Sequence, residues 1–556
     1  MPSETSKSDP TATAADVCDT RSCYQKPVAP FGRNYNAAAS PIYQTLRGAE
    51  FPFGLFDPEA EVIDPQAQAL LDRSLELVRT LKQQNQLLNE SGKVSSQTIE
   101  QLASLGFWGL RGQKGHGGTE ISYQCFTKFL TSMVTLDSTV GGLMMVQGSI
   151  GASGLLQAFG TLEQQQKFLP RLVSGEKLSA FALTEPGAGS DLTAIKTTAV
   201  LDGDDYVLNG EKLFITNLCP GRIVSLFCLI EEQPAVLIVE LPEEENEQFR
   251  MKPYGLWALK HTFNQGVQFN NFRVPKANRL VPETGNGFTI AYYGLNRGRL
   301  AVCASAAGNM RTMLADLIPW IKRRRTFGEA IESRELVLRR LARLASLIAG
   351  CDALSEWGAW LLDQGYRGGL ECIVAKIFAS EAQKEAAIDL YMKTCGGRAF
   401  LHGHRFGDNI HDWLAPCIYE GEGELLSLSF INTLLKQATP EDFEVKLDAN
   451  LPSLPNHFEQ LALFAIRELQ ASRSELAQMV KQYGKELADR QCLLVDLSNR
   501  IQKLIVMITT LLWGAKQTDE SVRQAAIILG LELKRALTGE RITPAELQMM
   551  THLGAS

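Results

Sequence analysis

The stretch Phe181–Ala199, FALTEPGAGSDLTAIKTTA, contains the residues best suited to holding a ligand. Pro186 stops a helix and removes a backbone donor. Gly187 and Gly189 permit backbone conformations closed to other residues and let a ligand approach closely. The exposed N–H and O–H groups of such a tight loop suit a polar, ring-shaped or phosphate-bearing ligand. An ordinary turn between two elements explains the composition equally well, so both interpretations stay open on chemistry alone.

Three further motifs follow in order: NGEKLFITN at Asn209–Asn217, RRRTFG at Arg323–Gly328 and IYEG at Ile418–Gly421. Together with TEPGAGSD they resemble the signature of the acyl-CoA dehydrogenase flavoprotein family, in its order and approximate spacing over residues 58–440. The layout is most similar to the very-long-chain branch, because Arg47–Phe53 resembles its entry segment and a helical extension follows the family region.

The resemblance implies FAD-dependent α,β-dehydrogenation of an acyl thioester, in which a base removes the α-proton while hydride leaves the β-carbon for the flavin. Glu420, between Tyr419 and Gly421, matches the base. A partly buried Glu suits this role because desolvation disfavours its charged form. Gly421 would let the chain bend, so that the carboxylate and its own N–H reach the thioester. The alternative is a solvated acidic turn, since Glu422 and Glu424 follow at once.

The resemblance also implies the cofactor and substrate contacts. The FAD contacts would be Phe181, Leu183, Thr184, Gly189, Ser190, Phe214, Ile215, Thr216, Arg324, Thr326, Phe327, Gly396, Gly397 and Glu422. The substrate contacts would be Ser190, Asn296, Arg299, Tyr419 and Gly421, with Arg299 on the CoA side. Arg324 would bind the pyrophosphate of a neighbouring subunit's FAD, which predicts a homodimer, although a solvated basic helix end is the alternative.

Several positions depart from the family pattern. Lys393 and Glu335 stand where the family usually has Gln, and Glu422 and Glu424 replace a Thr and a Gln. Two carboxylates near a diphosphate would repel it unless they are paired, and Lys393 could be such a partner. FAD remains the expected cofactor, but the residues at these four positions around it differ from those usual in the family.

The elements that would position these residues indicate an α+β, mainly α, fold. Helical periodicity over Ala67–Leu81 gives way to a period of two after residue 180, where Asn209-Gly210 suggests a hairpin turn, and long helical patterns then return. The predicted order is a largely disordered segment (1–57), an N-terminal helical domain (58–179), a central β-barrel-like sheet domain (180–285), a C-terminal four-helix bundle (286–440) and a helical extension (441–556).

Small residues are frequent between Gly141 and Gly160. Close helix packing explains them, but the corresponding family helix lines the acyl tunnel. Small side chains there would leave room for a long or bulky acyl group, such as that of a long-chain acyl-CoA.

Composition excludes several classes of protein. A net charge of −7 gives no basic footprint for nucleic acid. Eleven scattered cysteines without a CxxC pair, of which Cys18 and Cys23 are closest, indicate reduced intracellular thiols. No metal site is expected, because His402, His404 and His411 lack further ligands at a suitable spacing.

Targeting and membrane signals are weak. The N-terminus is polar, without an apolar core segment, which predicts a cytoplasmic protein. Leu504–Ala515 is an apolar run too short to span a membrane, so no such span is expected. The extension carries 13 Lys/Arg against 15 Asp/Glu, which favours subunit packing over membrane contact.

Several functions remain open. Electrons would pass to an electron-transfer flavoprotein or to another acceptor. The alternatives are an acyl-carrier-protein dehydrogenase or an acyl-CoA oxidase in a biosynthetic pathway, and a scaffold or assembly protein that kept the fold and lost turnover.

Overall fold

The computed structural model describes residues 33–436, 443 and 451–556. Its N-terminal part is helical, and caps define the helix ends: Asp64 accepts from the first turn of α2, and Gly106, in a left-handed conformation, follows α3. The helices are α1 Pro41–Arg47, α2 Pro65–Gln83, α3 Ser96–Ser104, α4 Tyr123–Leu136, α5 Ser138–Met145, α6 Ala152–Phe159 and α7 Leu162–Ser174.

The central part is one sheet with the strand order β6-β7-β3-β2-β4-β5-β8, and β1 pairs in parallel with β4. The strands are β1 Ser179–Ala182, β2 Thr198–Asp202, β3 Asp205–Thr216, β4 Ile223–Ile230, β5 Gln233–Glu240, β6 Phe249–Lys252, β7 Asn264–Pro275 and β8 Arg279–Leu280. Alternate apolar side chains form the sheet core, as the period of two predicts.

The hairpin predicted at Asn209-Gly210 is wrong, because β3 runs straight through both residues. A bulge lies there instead, and the hairpin turn is at Gly203, between β2 and β3. Gly210 has a φ of +146°, and a Cβ on it would lie 2.5 Å from Thr197 Oγ1. The glycine is therefore needed for the close approach of the chain segment at Thr197, just before β2.

The C-terminal part is a bundle built on α8, α9, α10 and α13. Its elements are α8 Gly287–Arg323, β9 Arg325–Thr326, β10 Glu329–Ala330, α9 Glu335–Asp363, α10 Gly369–Glu385, α11 Lys393–Cys395, α12 Arg405–Leu414 and α13 Gly423–Leu435. An Arg311–Asp352 ion pair joins α8 and α9, with Arg311 Nη1 2.9 Å from Asp352 Oδ1. The predicted α+β, mainly α, fold class is confirmed.

The extension packs on the same chain. It comprises α14 Asn456–Tyr483, α15 Gln491–Ala515, α16 Glu520–Thr538 and α17 Pro544–Ala555, and α15, α16 and α17 all contact α9. Ser498 donates to the Ser427 carbonyl at 2.7 Å, and Gln502 Nε2 donates to Ser427 Oγ at 3.1 Å. These bonds fix α13, so the extension supports the helix that begins just beyond Glu420.

The expectation of a largely disordered segment over 1–57 needs correction. Residues 1–32 lie outside the described residues, but the chain from Ser40 onward packs on the body. Ser40 caps α1, and the buried ring of Phe56 stacks on Trp357 at 4.9 Å. The apolar content of this short segment, and not a long periodic pattern, fixes it.

We expected no stretch that is long and apolar enough to span a membrane. By this criterion of length and composition alone, the expectation is wrong. Within the described residues, Ser138–Phe159 meets that criterion over 22 residues, and 72% of its most apolar window is buried in the protein. Its glycines serve close packing: a Cβ on Gly148 would lie 2.4 Å from the Phe126 ring, and one on Gly151 2.1 Å from Ser179 Oγ. These two positions thus leave no extra room for an acyl chain.

Candidate active site

Glu420 lies in a strained turn just before α13. It has a φ of +60°, unusual for a residue with a side chain, and Gly421 follows at +105°. Glu420 as a whole is partly exposed, but its Oε2 atom is shut off from solvent and has no hydrogen-bond partner among the described residues. Burial raises the pKa of Glu420 to about 7, although the Arg299 and Lys376 charges act to lower it. The solvated acidic turn is therefore not what the structure has.

Arg299 holds the backbone of this turn. It is buried on α8; its Nε donates to the Glu420 carbonyl at 3.1 Å, and its Nη1 to Asn296 Oδ1 at 3.2 Å. Asn296, also buried, donates to the Arg367 carbonyl at 3.1 Å. Both were predicted as substrate contacts; in the structure both side chains are buried and hydrogen-bonded to the protein, so the contact with substrate stays a prediction.

Gly298 lies between Asn296 and Arg299 on α8. It permits the Glu420 carboxylate to lie against this helix. A Cβ on Gly298 would lie 2.6 Å from Glu420 Oε1 and 2.5 Å from Ile150 Cγ2. Sequence reasoning missed this glycine, because nothing in a helical pattern shows which glycine faces a carboxylate.

We expect Gly298→Ala to displace Glu420 while leaving the flavin site intact. A misplacement of about 1 Å at a reacting group costs about 10²-fold in rate, so the activity that the resemblance implies, thioester-dependent flavin reduction, should fall by that factor. The matched control is Gly142→Ala, where no atom lies within 4 Å of the added Cβ. Stopped-flow reduction of both variants checks this, and equal rates would contradict the assigned geometry.

The Gly-rich loop after β1 is anchored by a buried ion pair. Lys212 Nζ, on β3, lies 2.7 Å from Glu185 Oε1 and donates to the Leu183 carbonyl at 3.0 Å. Glu185 also accepts from the N–H groups of Lys196 at 2.6 Å and Thr197 at 3.1 Å. This pair links the TEPGAGSD and NGEKLFITN motifs, and sequence reasoning did not identify either partner although both lie inside quoted motifs.

The loop beyond this anchor presents open polar groups. Gly189 and Ser190 are exposed, with no atom within 4 Å of a Cβ on Gly189, whereas the side chain of Leu183 is buried. Thr184 uses its carbonyl to accept from the Leu213 N–H at 2.9 Å. Phe181 packs against Phe227, so its ring forms part of the wall beneath the loop.

The next predicted cofactor contacts, Phe214, Ile215 and Thr216, are consecutive residues at the end of β3. Phe214 has a φ of +57° and leaves 54% of its surface exposed, and its N–H donates to the Tyr254 hydroxyl at 2.7 Å. Thr216 Oγ1 accepts from Asn264 at 2.9 Å. The Ile215 side chain lies in the sheet core, so any ligand contact it makes must be through its backbone.

The remaining predicted cofactor residues lie at the far end of α8. Arg324 follows the last residue of α8, which at 1.5 Å per residue puts it about 37 Å along the axis from Arg299. Phe327 leaves 97% of its surface exposed, and Thr326 lies beside it in β9. Gly396 and Gly397 are neighbours of this end, because Arg398 lies over the Trp320 ring at 4.6 Å. Arg324 and Glu420 of one chain therefore cannot touch the same isoalloxazine.

The structure shows the partners of two residues, Glu422 and Lys393, that were predicted to lie near the diphosphate. Glu422 caps α13, accepting from the N–H groups of Glu424 at 3.1 Å and Leu425 at 3.0 Å. The contact of Glu422 with FAD stays a prediction. Lys393 pairs with Asp389 at 2.5 Å and not with Glu422.

Comparison with known protein families shows which family this chain belongs to. Three family models match: the acyl-CoA dehydrogenase N-terminal domain over residues 64–176, the middle domain over 180–272 and the C-terminal domain over 285–434. The chain belongs to the acyl-CoA dehydrogenase family. It is therefore an oxidoreductase of an FAD-dependent family, and the resemblance stated from the motifs is confirmed.

Individual relatives agree with this assignment. An acyl-CoA dehydrogenase of Bacillus subtilis is 30% identical over 356 residues, which cover 63% of this chain and 92% of the relative. A very long-chain specific acyl-CoA dehydrogenase of Macaca fascicularis is 31% identical over 60% of this chain, but the match spans only 52% of that protein. An FAD-complexed acyl-CoA dehydrogenase from Bacillus anthracis, 20% identical, shares the fold with a TM-score of 0.75, covering 90% of this chain and 96% of its own.

The residues present fit FAD. The exposed ring of Phe214 and the open polar loop at Gly189 and Ser190 offer an apolar wall beside free donors, which suits a ring system that carries a polar chain. Arg324 has an exposed guanidinium suited to a pyrophosphate. Thr184, Ser190, Phe214 and Thr216 stay the predicted cofactor contacts of this loop and strand.

Proposed function

We propose that this protein catalyses the α,β-dehydrogenation of an acyl thioester, with Glu420 as the base that takes the α-proton. The observation that carries the proposal is the Glu420 carboxylate, which combines an unpartnered Oε2 atom, a strained backbone and a pKa raised to about 7. A general base works best when its pKa lies near the operating pH. Long-chain acyl-CoA is the preferred substrate class, by likeness to the very-long-chain relatives.

The chain's own residues can perform three tasks. Glu420 in its ionised form accepts the α-proton, and the site offers no solvent to Oε2. The Glu420 N–H has no acceptor among the described residues, so it is free to stabilise charge that develops on the thioester oxygen. Arg299 donates to the backbone carbonyl of the same residue, Glu420, and so holds the turn. Bound FAD supplies the acceptor for the β-hydride.

The proposal predicts the pH dependence of the reductive half-reaction. The base must be deprotonated, so the rate should rise about tenfold per pH unit below the midpoint and level off above it. With the pKa of Glu420 raised to about 7, the midpoint should lie near that value. Anaerobic stopped-flow reduction between pH 5.5 and 9 measures it. A rate that stays flat down to pH 5.5 would contradict Glu420 as the base.

For the electron acceptor we propose an electron-transfer flavoprotein. A subunit of the caffeyl-CoA reductase–Etf complex of Acetobacterium woodii is 30% identical over 63% of this chain and 92% of its own length. Reoxidation of the reduced enzyme by a purified electron-transfer flavoprotein, compared with reoxidation in air, tests this. Fast reoxidation in air with peroxide release would instead make the protein an acyl-CoA oxidase.

We also propose a homodimer in which the far end of α8 completes the partner's cofactor site. Phe327 and Phe400 leave 97% and 73% of their surfaces exposed at this end, and Arg324 is exposed beside them. Large exposed apolar side chains that cluster mark interaction sites, which is the reason for placing the interface at this end. Analytical ultracentrifugation of the holoenzyme tests this, and a monomer with full flavin content would contradict it.

A further inference from the structure

Lys376 on α10 is a buried cation that the reaction outlined above does not use. It is completely buried, and its Nζ donates to the Gly421 carbonyl. Among the described residues, no carboxylate lies within ion-pair distance of it. Burial lowers the pKa of Lys376 to about 8, while Cys417, Glu420 and Glu422 act to raise it. A buried ammonium without a carboxylate partner is costly, so its position calls for a reason.

The turn at Glu420 supplies that reason. Two cations from two different helices hold its consecutive carbonyl groups: Arg299 on α8 takes the Glu420 carbonyl, and Lys376 on α10 takes the Gly421 carbonyl. Both residues of the turn have positive φ values, +60° and +105°. Such a conformation persists only where its surroundings hold it. With its carbonyls held toward the protein, the turn leaves the N–H groups of Glu420 and Gly421 without acceptors among the described residues.

We propose that Lys376 is a positioning residue for the base: through the Gly421 carbonyl it holds the turn so that the Glu420 carboxylate and N–H face the thioester. This inference rests on the proposed function of Glu420. Lys376 also acts through its charge, because it and Arg299 are the two cations that interact with Glu420.

The competing explanation is that Lys376 only stabilises the fold. A structural lysine would affect unfolding and flavin content, whereas a positioning lysine also sets the proton affinity of Glu420. Removing a nearby opposite charge raises the pKa of a carboxyl, so a variant that lacks the Lys376 charge should move the Glu420 midpoint upward. The titration of Glu420 therefore separates the two roles.

The experiment compares Lys376→Met with Lys376→Gln, which removes the charge but keeps a donor, in the flavin-loaded full-length protein. Lys384→Met, an exposed site on the same helix that pairs with Glu381, is the matched control. Thermal unfolding and flavin content show that each variant is folded. Carbon-13 NMR of labelled glutamate carboxyls follows Glu420, whose resonance is identified by its loss in Glu420→Gln. Anaerobic flavin bleaching by acyl-CoA follows the reaction.

We expect Lys376→Met to raise the Glu420 midpoint, because a nearby cation is removed, and to slow bleaching about tenfold or more even at high pH, because the turn is released. Lys376→Gln should raise the midpoint equally and keep a faster rate at high pH. An unchanged midpoint in both variants, with or without a loss of stability, would overturn the proposal. If the wild-type protein is bleached by no thioester, the proposed function fails, and the NMR titration still reports on Lys376.

Discussion

Replacing Glu420 by Gln should abolish thioester-dependent flavin reduction while leaving the flavin bound. The amide keeps the size of the side chain and the turn geometry but cannot take a proton at neutral pH. Removing a positioned general base costs up to about 10⁴-fold in rate, and the neighbouring Glu422 carboxylate is engaged in capping α13. Anaerobic stopped-flow reduction measures the loss.

The matched control is Glu424→Gln, four residues further along and exposed on the first turn of α13. It removes the same charge from the same acidic cluster, so its reduction rate should stay within about twofold of the wild type if only Glu420 acts as base. Equal losses in the two variants would show that the cluster contributes through its field and not through one base. Flavin absorbance per protein must be unchanged in both.

Replacing Lys212 by Met should disrupt the flavin loop and destabilise the whole protein. Lys212 and Glu185 are both buried, and Glu185 also holds the N–H groups of Lys196 and Thr197. Lys212 and these N–H groups hold the pKa of Glu185 below its usual range, whereas burial lowers the pKa of Lys212. Removing one partner of a buried pair leaves an uncompensated charge and costs about 3–5 kcal/mol. Urea unfolding and flavin content provide the measurements.

The control for Lys212 is Lys252→Met, which breaks a partly exposed pair with Glu211, 2.6 Å apart. Pairs of that kind contribute about 0–1 kcal/mol, so this variant should unfold near the wild-type midpoint. The double variant Lys212→Met with Glu185→Gln should recover part of the loss, because no buried charge then lacks a partner. If Lys212→Met and Lys252→Met unfold alike, the pair does not anchor the loop.

The motifs identified the family and pointed to Glu420 as the candidate base, but they did not show the environment around that carboxylate. Glu420 was predictable because IYEG is a local pattern that lies in register with three others. Its neighbours Arg299 and Lys376 come from α8 and α10, about 120 and 45 residues away in the chain, and only the packing of those helices brings them to the turn.

Local patterns misled where tertiary contacts decide the outcome. Asn209-Gly210 predicts a turn by propensity, yet β3 continues because Gly210 admits Thr197 of the neighbouring chain segment. The small residues of the Gly141–Gly160 stretch suggested an open tunnel, but Phe126 and Ser179 occupy the space beside Gly148 and Gly151. Sequence shows that side chains are small and does not show what fills the gap.

The helical extension also shows what a sequence pattern can and cannot predict. Its amphipathic periodicity predicted helices, and α14 to α17 are present. Periodicity does not say which surface an apolar face covers, and here α15 packs against α9 and α13 of its own chain. The expected subunit packing therefore stays a prediction that concerns only the faces left uncovered.

The most direct test of the account is an anaerobic single turnover of the purified flavoprotein with saturated acyl thioesters of varied chain length, carried on CoA or on a carrier protein. The account predicts that long-chain acyl-CoA bleaches the flavin and that mass spectrometry finds one 2-enoyl thioester, two hydrogens lighter, per flavin reduced. A protein with full flavin content that is bleached by no thioester, and yields no enoyl product, would contradict it.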